Sequence, residues 1–394
     1  MRTVLTAEKL WNGTALLDRP RIVVEDGRIA SISTLESGEQ APLSEARSID
    51  FPGATLAPAF LDVHIHGAAG HDVMEATPEA LTTIGRFLAS HGTGSFLATT
   101  VTAPLDATLR SLSGLAKLLV HPDPSAHPQA RPVGIHLEGP FLSHVRRGAH
   151  PPEYLLAPDL KTFDRLFEAA EGYVRLMTLA PELPGAVELT AHATARGVRV
   201  SLGHSDANAA ETRAAIATGA VSATHTYNAM RPLHHHEPGI LGIVLTTDSL
   251  FAELICDGIH NQPEMVKLWW RAKGPDRAIL VTDAMSATGM PDGEYRLGEF
   301  KVRVENGKAS IGDVLAGSLL TLDKALANFV RFTGATVEQG LRLMTANPAT
   351  MTGIQACAAP LAVGHPANLV AVDTAGKLLA SVLNGQPIAG SPGC

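Results

Sequence analysis

Two histidines two residues apart, His64 and His66, close the run Phe60-Leu61-Asp62-Val63-His64-Ile65-His66-Gly67. Strand side chains repeat with period two, so both imidazoles face one side and can reach one metal ion. A His-x-His pair alone is a weak signal. Here Glu138 (His136-Leu137-Glu138-Gly139-Pro140), His204 (Leu202-Gly203-His204-Ser205), His225 (Thr224-His225-Thr226) and Asp283 (Val281-Thr282-Asp283-Ala284) follow in order, each closing a short apolar run. Imidazole nitrogens and carboxylate oxygens make a donor set for a hydrolytic divalent cation, and a spare carboxylate can act as a base towards water. Taken singly, a histidine reads better as a satisfied core residue, and the lesser alternative for Asp283 is a helix cap or a further ligand.

The elements that would position these groups repeat. Strand-like runs cover Leu56 to His64, Gly94 to Thr100, Val133 to Leu137, Val174 to Ala180, Val198 to Leu202, Val221 to Thr224, Leu250 to Cys256 and Ala278 to Val281. Helical patterns lie between most of them: Pro78 to Ser90 with Thr77 as cap and Gly92 beyond its end, Ala207 to Thr218 with Asp206 as cap, Asn261 to Ala272, and Leu320 to Phe332. About eight strands alternating with helices predict an α/β fold of the (β/α)8 TIM-like barrel type. Such barrels carry their chemistry at the carboxyl ends of the strands, where all the candidate ligands fall.

The 394 residues hold such a barrel with room for a second domain. Residues 1–56 carry strand-and-turn patterns, among them Arg21 to Ile32 around an Asp26-Gly27 turn. The chain's end returns to strands at Asn368 to Val372 with a turn at Asn384-Gly385. Neither end is apolar enough to fold alone. The expected division is one small β-sandwich domain built from 1–56 and 353–394, with a catalytic barrel at 57–352 between them. Ser37 to Ser44 and His121 to Arg131 read as polar loops. A net charge of −8 excludes the basic face of a nucleic-acid binder. No apolar run approaches the ~20 residues of a membrane span. Met1 to Leu5 lacks a signal-peptide core, and the spacing of Cys256, Cys357 and Cys394 suits neither disulfides nor metal binding. The expected compartment is the cytoplasm.

The chain resembles the amidohydrolase superfamily, and within it the N-acetylglucosamine-6-phosphate deacetylases. The resemblance rests on Pro58 to Gly67, His136 to Phe141, Arg147-Gly148-Ala149-His150, Leu202 to Ser205, Thr224 to Met230, Glu237-Pro238-Gly239, Asp257 to His260, Thr282-Asp283-Ala284 and Ala316-Gly317-Ser318. It implies a metal-dependent (β/α)8 barrel, with a β domain formed by both termini. Many binuclear barrels of the superfamily bridge their metals with a carbamylated lysine after the fourth strand. Tyr173 to Glu182 contains no lysine, so Glu138 is the expected ligand and bridge. With His204 and His225 it makes a His2Glu set that leaves one position open. His64 and His66 add a second site sharing Glu138. The expected cofactor is one or two divalent metals, zinc first, with iron, manganese and cobalt also compatible.

Asp283 is the expected general base, returning its proton to the departing amine. By resemblance His150 touches the substrate and polarises the acyl carbonyl, His260 contacts sugar or phosphate, and Asn228 and Ala229 offer groups to the phosphate. The family pattern places an arginine directly before Glu-Pro-Gly, reaching phosphate in the neighbouring subunit of a homodimer. Here His234-His235-His236 precedes Glu237, and His236 stands in the arginine's place. Histidine gives one donor where arginine gives a permanent forked charge. Arg231, in the same loop, is a further candidate for the phosphate. The expected activity is hydrolysis of the acetamide of N-acetylglucosamine 6-phosphate to glucosamine 6-phosphate and acetate. The alternatives are the same chemistry on an unphosphorylated or different N-acyl amino sugar, or a non-catalytic barrel that only binds.

Overall fold

The structure, a computed structural model, describes residues 2–35, 47–120, 128–354 and 360–391. Eight parallel strands form one sheet: β1 (Phe60–Ile65), β2 (Thr93–Thr100), β3 (Arg131–Glu138), β4 (Val174–Leu179), β5 (Arg199–Leu202), β6 (Ala220–Ala223), β7 (Phe251–Ile255) and β8 (Ala278–Val281). Each pairs with its sequence neighbour. The ring closes just past β8, where Ile65 bridges Ala284 and the Asp283 amide donates to the His64 carbonyl at 2.9 Å. The central strands are buried nearly throughout, as expected where helices cover one face of a sheet and its other face lines the barrel core.

A helix follows each strand: Pro78–Ser90, Leu105–Val120, Leu160–Ala169, Ala186–Ala195, Ala209–Ala217, Gly239–Thr246, Pro263–Arg277 and Leu322–Thr333. The first matches its sequence prediction at both ends. The Thr77 hydroxyl accepts from the Ala80 amide, and Ala80, Leu81, Ile84, Leu88 and Ala89 form the buried stripe. The helix expected at Ala207 starts two residues later. Its cap is Asn208, in a capping box with Glu211, and not Asp206, whose carboxylate is engaged by Arg146 at 2.8 Å and Arg231 at 3.0 Å.

The two termini share an eight-stranded sheet. Arg2–Trp11 runs parallel to Arg47–Pro58, which pairs antiparallel with Leu369–Val372. Both expected turns form with positive φ at both residues, 47° and 79° at Asp26-Gly27 and 49° and 71° at Asn384-Gly385. They abut. A Cβ on Gly27 would lie 2.7 Å from the Asn384 carbonyl, so only glycine lets them pack. The run expected as one strand from Leu56 to His64 is two: it leaves the terminal sheet at Pro58 and enters the barrel at Phe60. Apolar residues serve both cores there, so no polar break marks the crossing.

A second difference lies after β8. Four antiparallel strands, Gly293–Leu297, Phe300–Glu305, Lys308–Ile311 and Val314–Leu315, form a meander with its own apolar cluster of Leu297, Val302, Val304 and Ala309. The alternation in Lys301-Val302-Arg303-Val304-Glu305 and the turn at Asn306-Gly307 carried that signal. Among the described residues no helix is long and apolar enough to cross a membrane. The expected loops at Ser37 to Ser44 and at 121–127, together with Cys357 and Cys394, lie outside the described residues; Cys256 is buried and free.

Candidate active site

β1 delivers His64 and His66, β3 ends on Glu138, and His204, His225 and Asp283 sit just past β5, β6 and β8. These last three have left-handed backbones, with φ of 47°, 26° and 52°. For non-glycine residues that conformation costs of order 1–3 kcal/mol, and the closed ring must hold it. The reversal at each strand end places the side chain among the others.

Glu138 is the hub. Its Oε1 lies 3.3 Å from His64 Nε2, 3.3 Å from His204 Nε2 and 3.1 Å from His225 Nε2, and its Oε2 lies 3.1 Å from His66 Nε2. Asp283 Oδ1 completes the far side, 3.1 Å from His66 Nε2 and 3.5 Å from His64 Nε2. The Nε2 atoms of His204 and His225 approach to 3.1 Å, although two neutral imidazoles cannot satisfy each other through bare lone pairs. A tetrahedral cation with ligands at ~2.0–2.1 Å requires donor–donor edges of about 3.3 Å. The Glu138–His204–His225 triangle, with edges of 3.1 to 3.3 Å, therefore fits a divalent cation. His64 Nε2, fully buried and without a hydrogen-bond partner, points the same way. Ligand atoms of His64, His66 and Asp283 also lie within 4.8 Å of one another.

The electrostatics favour charge separation. Burial pushes the Glu138 carboxyl up, but the surrounding histidines hold it well below its ordinary range. Burial likewise opposes ionisation of Asp283, yet His64 and His66 bring it down to about 2. His150 goes the other way. Burial outweighs its carboxylate neighbour and lowers it to about 4, so the ring is neutral. Its Nδ1 accepts from the Thr102 amide at 3.3 Å and lies 2.8 Å from the Thr102 hydroxyl, which leaves the proton on Nε2, 3.5 Å from Glu138. Gly139 makes this possible. It has φ +92°, and a Cβ there would come within 2.1 Å of Thr102 Oγ1.

A cavity of about 540 Å³ opens above this floor. His66, Glu138, His150, His204, His225 and Asp283 line its base, and Asn228, Ala229 and His260 line its wall. Burial would lower the His260 pKa, but Asp257 at 2.6 Å raises it. The Asn228 side-chain amide points to the carbonyls of His225 and Thr226. Two candidates are not brought to the cavity lining: Arg231 pairs with Asp206, and His236 lies exposed in its loop.

The sequence reading missed other lining residues. His144, Arg146 and Arg147 come from the loop after β3, and Leu297, Val314 and Leu315 come from the meander. The spacing Arg146-Arg147-Gly148 was visible as a cationic loop, but nothing local said that it folds over the mouth.

The amidohydrolase family profile matches residues 55–389. The chain belongs to the amidohydrolase family. This amidohydrolase is 38% identical to the N-acetylgalactosamine-6-phosphate deacetylase of Escherichia coli O157:H7, over 95% of this chain and 96% of that protein. It is 36% identical to the N-acetylglucosamine-6-phosphate deacetylase of Vibrio furnissii, over 93% and 88%. A solved structure of a mutant N-acetyl-D-glucosamine-6-phosphate deacetylase from Mycobacterium smegmatis, in complex with N-acetyl-D-glucosamine-6-phosphate, superposes with a TM-score of 0.89 at 34% identity, covering 98% of this chain and 99% of that one. Amidohydrolases are metal-dependent, and the buried histidine and carboxylate groups at this barrel mouth are of the kind that holds a metal.

Proposed function

We propose that this amidohydrolase hydrolyses the acetamide of N-acetylglucosamine 6-phosphate to glucosamine 6-phosphate and acetate. The observation that carries the reading is the convergence of five imidazoles on Glu138, with Asp283 against two of them, in a chain whose relatives are sugar-phosphate deacetylases over nearly their whole length. Glu138, His204 and His225 would hold one divalent cation, and His64 and His66 a second that shares Glu138. Zinc suits this set first, and iron, manganese and cobalt are also compatible. The bound cation supplies a Lewis acid that polarises the acyl oxygen and makes water more acidic.

This chain's own groups do the rest. The ionised Asp283 carboxylate takes a proton from the attacking water, whose oxygen bonds to the acyl carbon. The Nε2–H of neutral His150 faces the floor and can donate to the acyl oxygen as it gains charge. Asp283 then returns the proton to the amide nitrogen, the C–N bond breaks, and acetate and the amine leave. His260, on the wall with its pKa raised by Asp257, would meet the phosphate or a sugar hydroxyl, with Asn228 and Ala229 beside it. The test is acetate release from N-acetylglucosamine 6-phosphate by the metal-loaded enzyme. No release above the metal-free control would sink the reading.

A second reading, N-acetylgalactosamine 6-phosphate as substrate, is favoured by the Escherichia coli relative. The same assay with both epimers decides between them. The proposal also includes a homodimer, supported by the exposed His236 in a loop with Leu233 at 52% exposure, and a cytoplasmic location, supported by the free thiol of Cys256. The division into 1–56, 57–352 and 353–394 is proposed as the domain organisation, on the strength of the shared terminal sheet.

A further inference from the structure

Glu253 stands in the middle of β7, a strand with every residue buried, and is itself 0% exposed. It does not line the cavity, so it cannot touch a substrate there. A carboxylate placed so deep needs a compensating partner. Among the described residues its one ion-pair partner is an imidazole: Oε2 lies 3.4 Å from His64 Nδ1, while Oε1 has no hydrogen-bond partner. Among the described residues no lysine or arginine pairs with it.

His64 is held from three sides. Glu253 meets Nδ1 at one edge of the ring. At the other edge, Nε2 faces Glu138 and Asp283 at 3.3 and 3.5 Å. The His136 ring packs edge-on against it, with centroids 4.7 Å apart and planes at 89°. His136 is in turn bound to Thr178 Oγ1 at 2.8 Å and Thr99 Oγ1 at 3.3 Å. The arrangement sets both the plane of the His64 ring and which nitrogen carries the proton. A carboxylate on Nδ1 keeps the proton there and turns the Nε2 lone pair towards the cluster.

We propose that Glu253 is a positioning residue: it holds His64 with its proton on Nδ1 and its Nε2 aimed between Glu138 and Asp283, and so decides whether the cation on the His64–His66 side is retained. This rests on the reading that the site holds two cations. The outer carboxylate acts on that cation selectively, because His204 is oriented independently, through Nδ1 to the Arg146 carbonyl at 3.0 Å.

The test uses the zinc-loaded full chain. Metal is counted by elemental analysis, then withdrawn by a graded chelator from the wild type, Glu253→Gln and Glu253→Asp. The wild type should hold two ions. In Glu253→Gln, which keeps the shape and removes the charge, the weaker ion should be lost at ~10–100-fold lower chelator strength while the tighter ion is unmoved. Glu253→Asp, which keeps the charge, should recover part of the loss. If the wild type holds two ions and Glu253→Gln releases both as the wild type does, the inference is overturned and the two-cation reading stands. A wild type holding one ion overturns the two-cation reading itself. Nitrogen-15 NMR of the zinc-loaded wild type tests the contact without any substitution: a proton on His64 Nδ1 is expected, and one on Nε2 overturns the inference.

Discussion

Two regions of this chain gather imidazoles, and they behave differently. At the barrel mouth His64, His66, His136, His204 and His225 have neighbouring ring centroids 4.7 to 5.4 Å apart. In the loop after β6, His234, His235 and His236 are as close, at 4.0 to 5.5 Å. Ring spacing therefore does not distinguish them. Carboxylates and burial do. Every ring at the mouth is buried, and Glu138, Asp283 or Glu253 stands against a nitrogen of every one except His136. The loop rings are exposed, and the nearest carboxylate in sequence, Glu237, accepts instead from the amides of Ala209 and Gly239. A metal-binding cluster is made by what faces the nitrogens in a place from which water is excluded, not by how many histidines are adjacent.

The largest test of that contrast is Glu138. Glu138→Gln keeps the volume but removes the charge on which five imidazoles converge, so acetate release and metal retention should vanish together. Retention of metal with lost activity would show that the carboxylate is not what gathers the cluster. Next comes Asp283→Asn. It preserves shape and cannot take a proton, so turnover should fall at least ~10²-fold with metal still bound, as assayed by acetate release and elemental analysis on one sample. Near-normal turnover would remove Asp283 from the chemistry.

Replacing His64 and His66 together by alanine should lower metal content by about one ion per chain and leave some activity. An unchanged metal content would place both cations elsewhere. His260 sharpens the contrast outside the metal floor, because it is a histidine with a carboxylate of its own. Asp257 raises its pKa, so the protonated ring should persist above the usual histidine range, and the KM for the phosphorylated sugar should rise only when pH passes that raised value. Asp257→Asn should move the rise down towards ~6.5. A KM–pH profile identical in both proteins would take His260 out of binding.

The smallest effect is expected in the loop. His236→Arg should lower the KM for the phosphorylated sugar several-fold and leave the free N-acetyl sugar unaffected, because only a phosphate profits from a forked permanent charge. Identical kinetics on both substrates would show that the exposed run does not read the phosphate.

Local pattern and position made much of this protein legible. Eight apolar runs with a polar group at their ends, separated by capped helices, specify a barrel with its chemistry at one rim, because period two and period 3.6 are properties of the chain itself. His64, His66, Glu138, His204, His225 and Asp283 could be named from that pattern alone. The two hairpin turns were equally visible, since Asp26-Gly27 and Asn384-Gly385 carry their own backbone preference.

Closure of the ring decided everything that depends on which atoms meet. It brings Asp283 beside His64 and His66 across more than two hundred residues, and it holds three site residues in left-handed backbone that their side chains do not favour. It turned Asp206 from the expected cap into the partner of two arginines, and left Arg231 spoken for. Glu253 looked like one polar residue inside a strand, and nothing local revealed that its carboxylate would meet His64 from the far side of the barrel. The chain's sequence determined which groups reach the rim; only long-range packing, by excluding water and fixing each ring between specific neighbours, determined what each nitrogen and oxygen there can do.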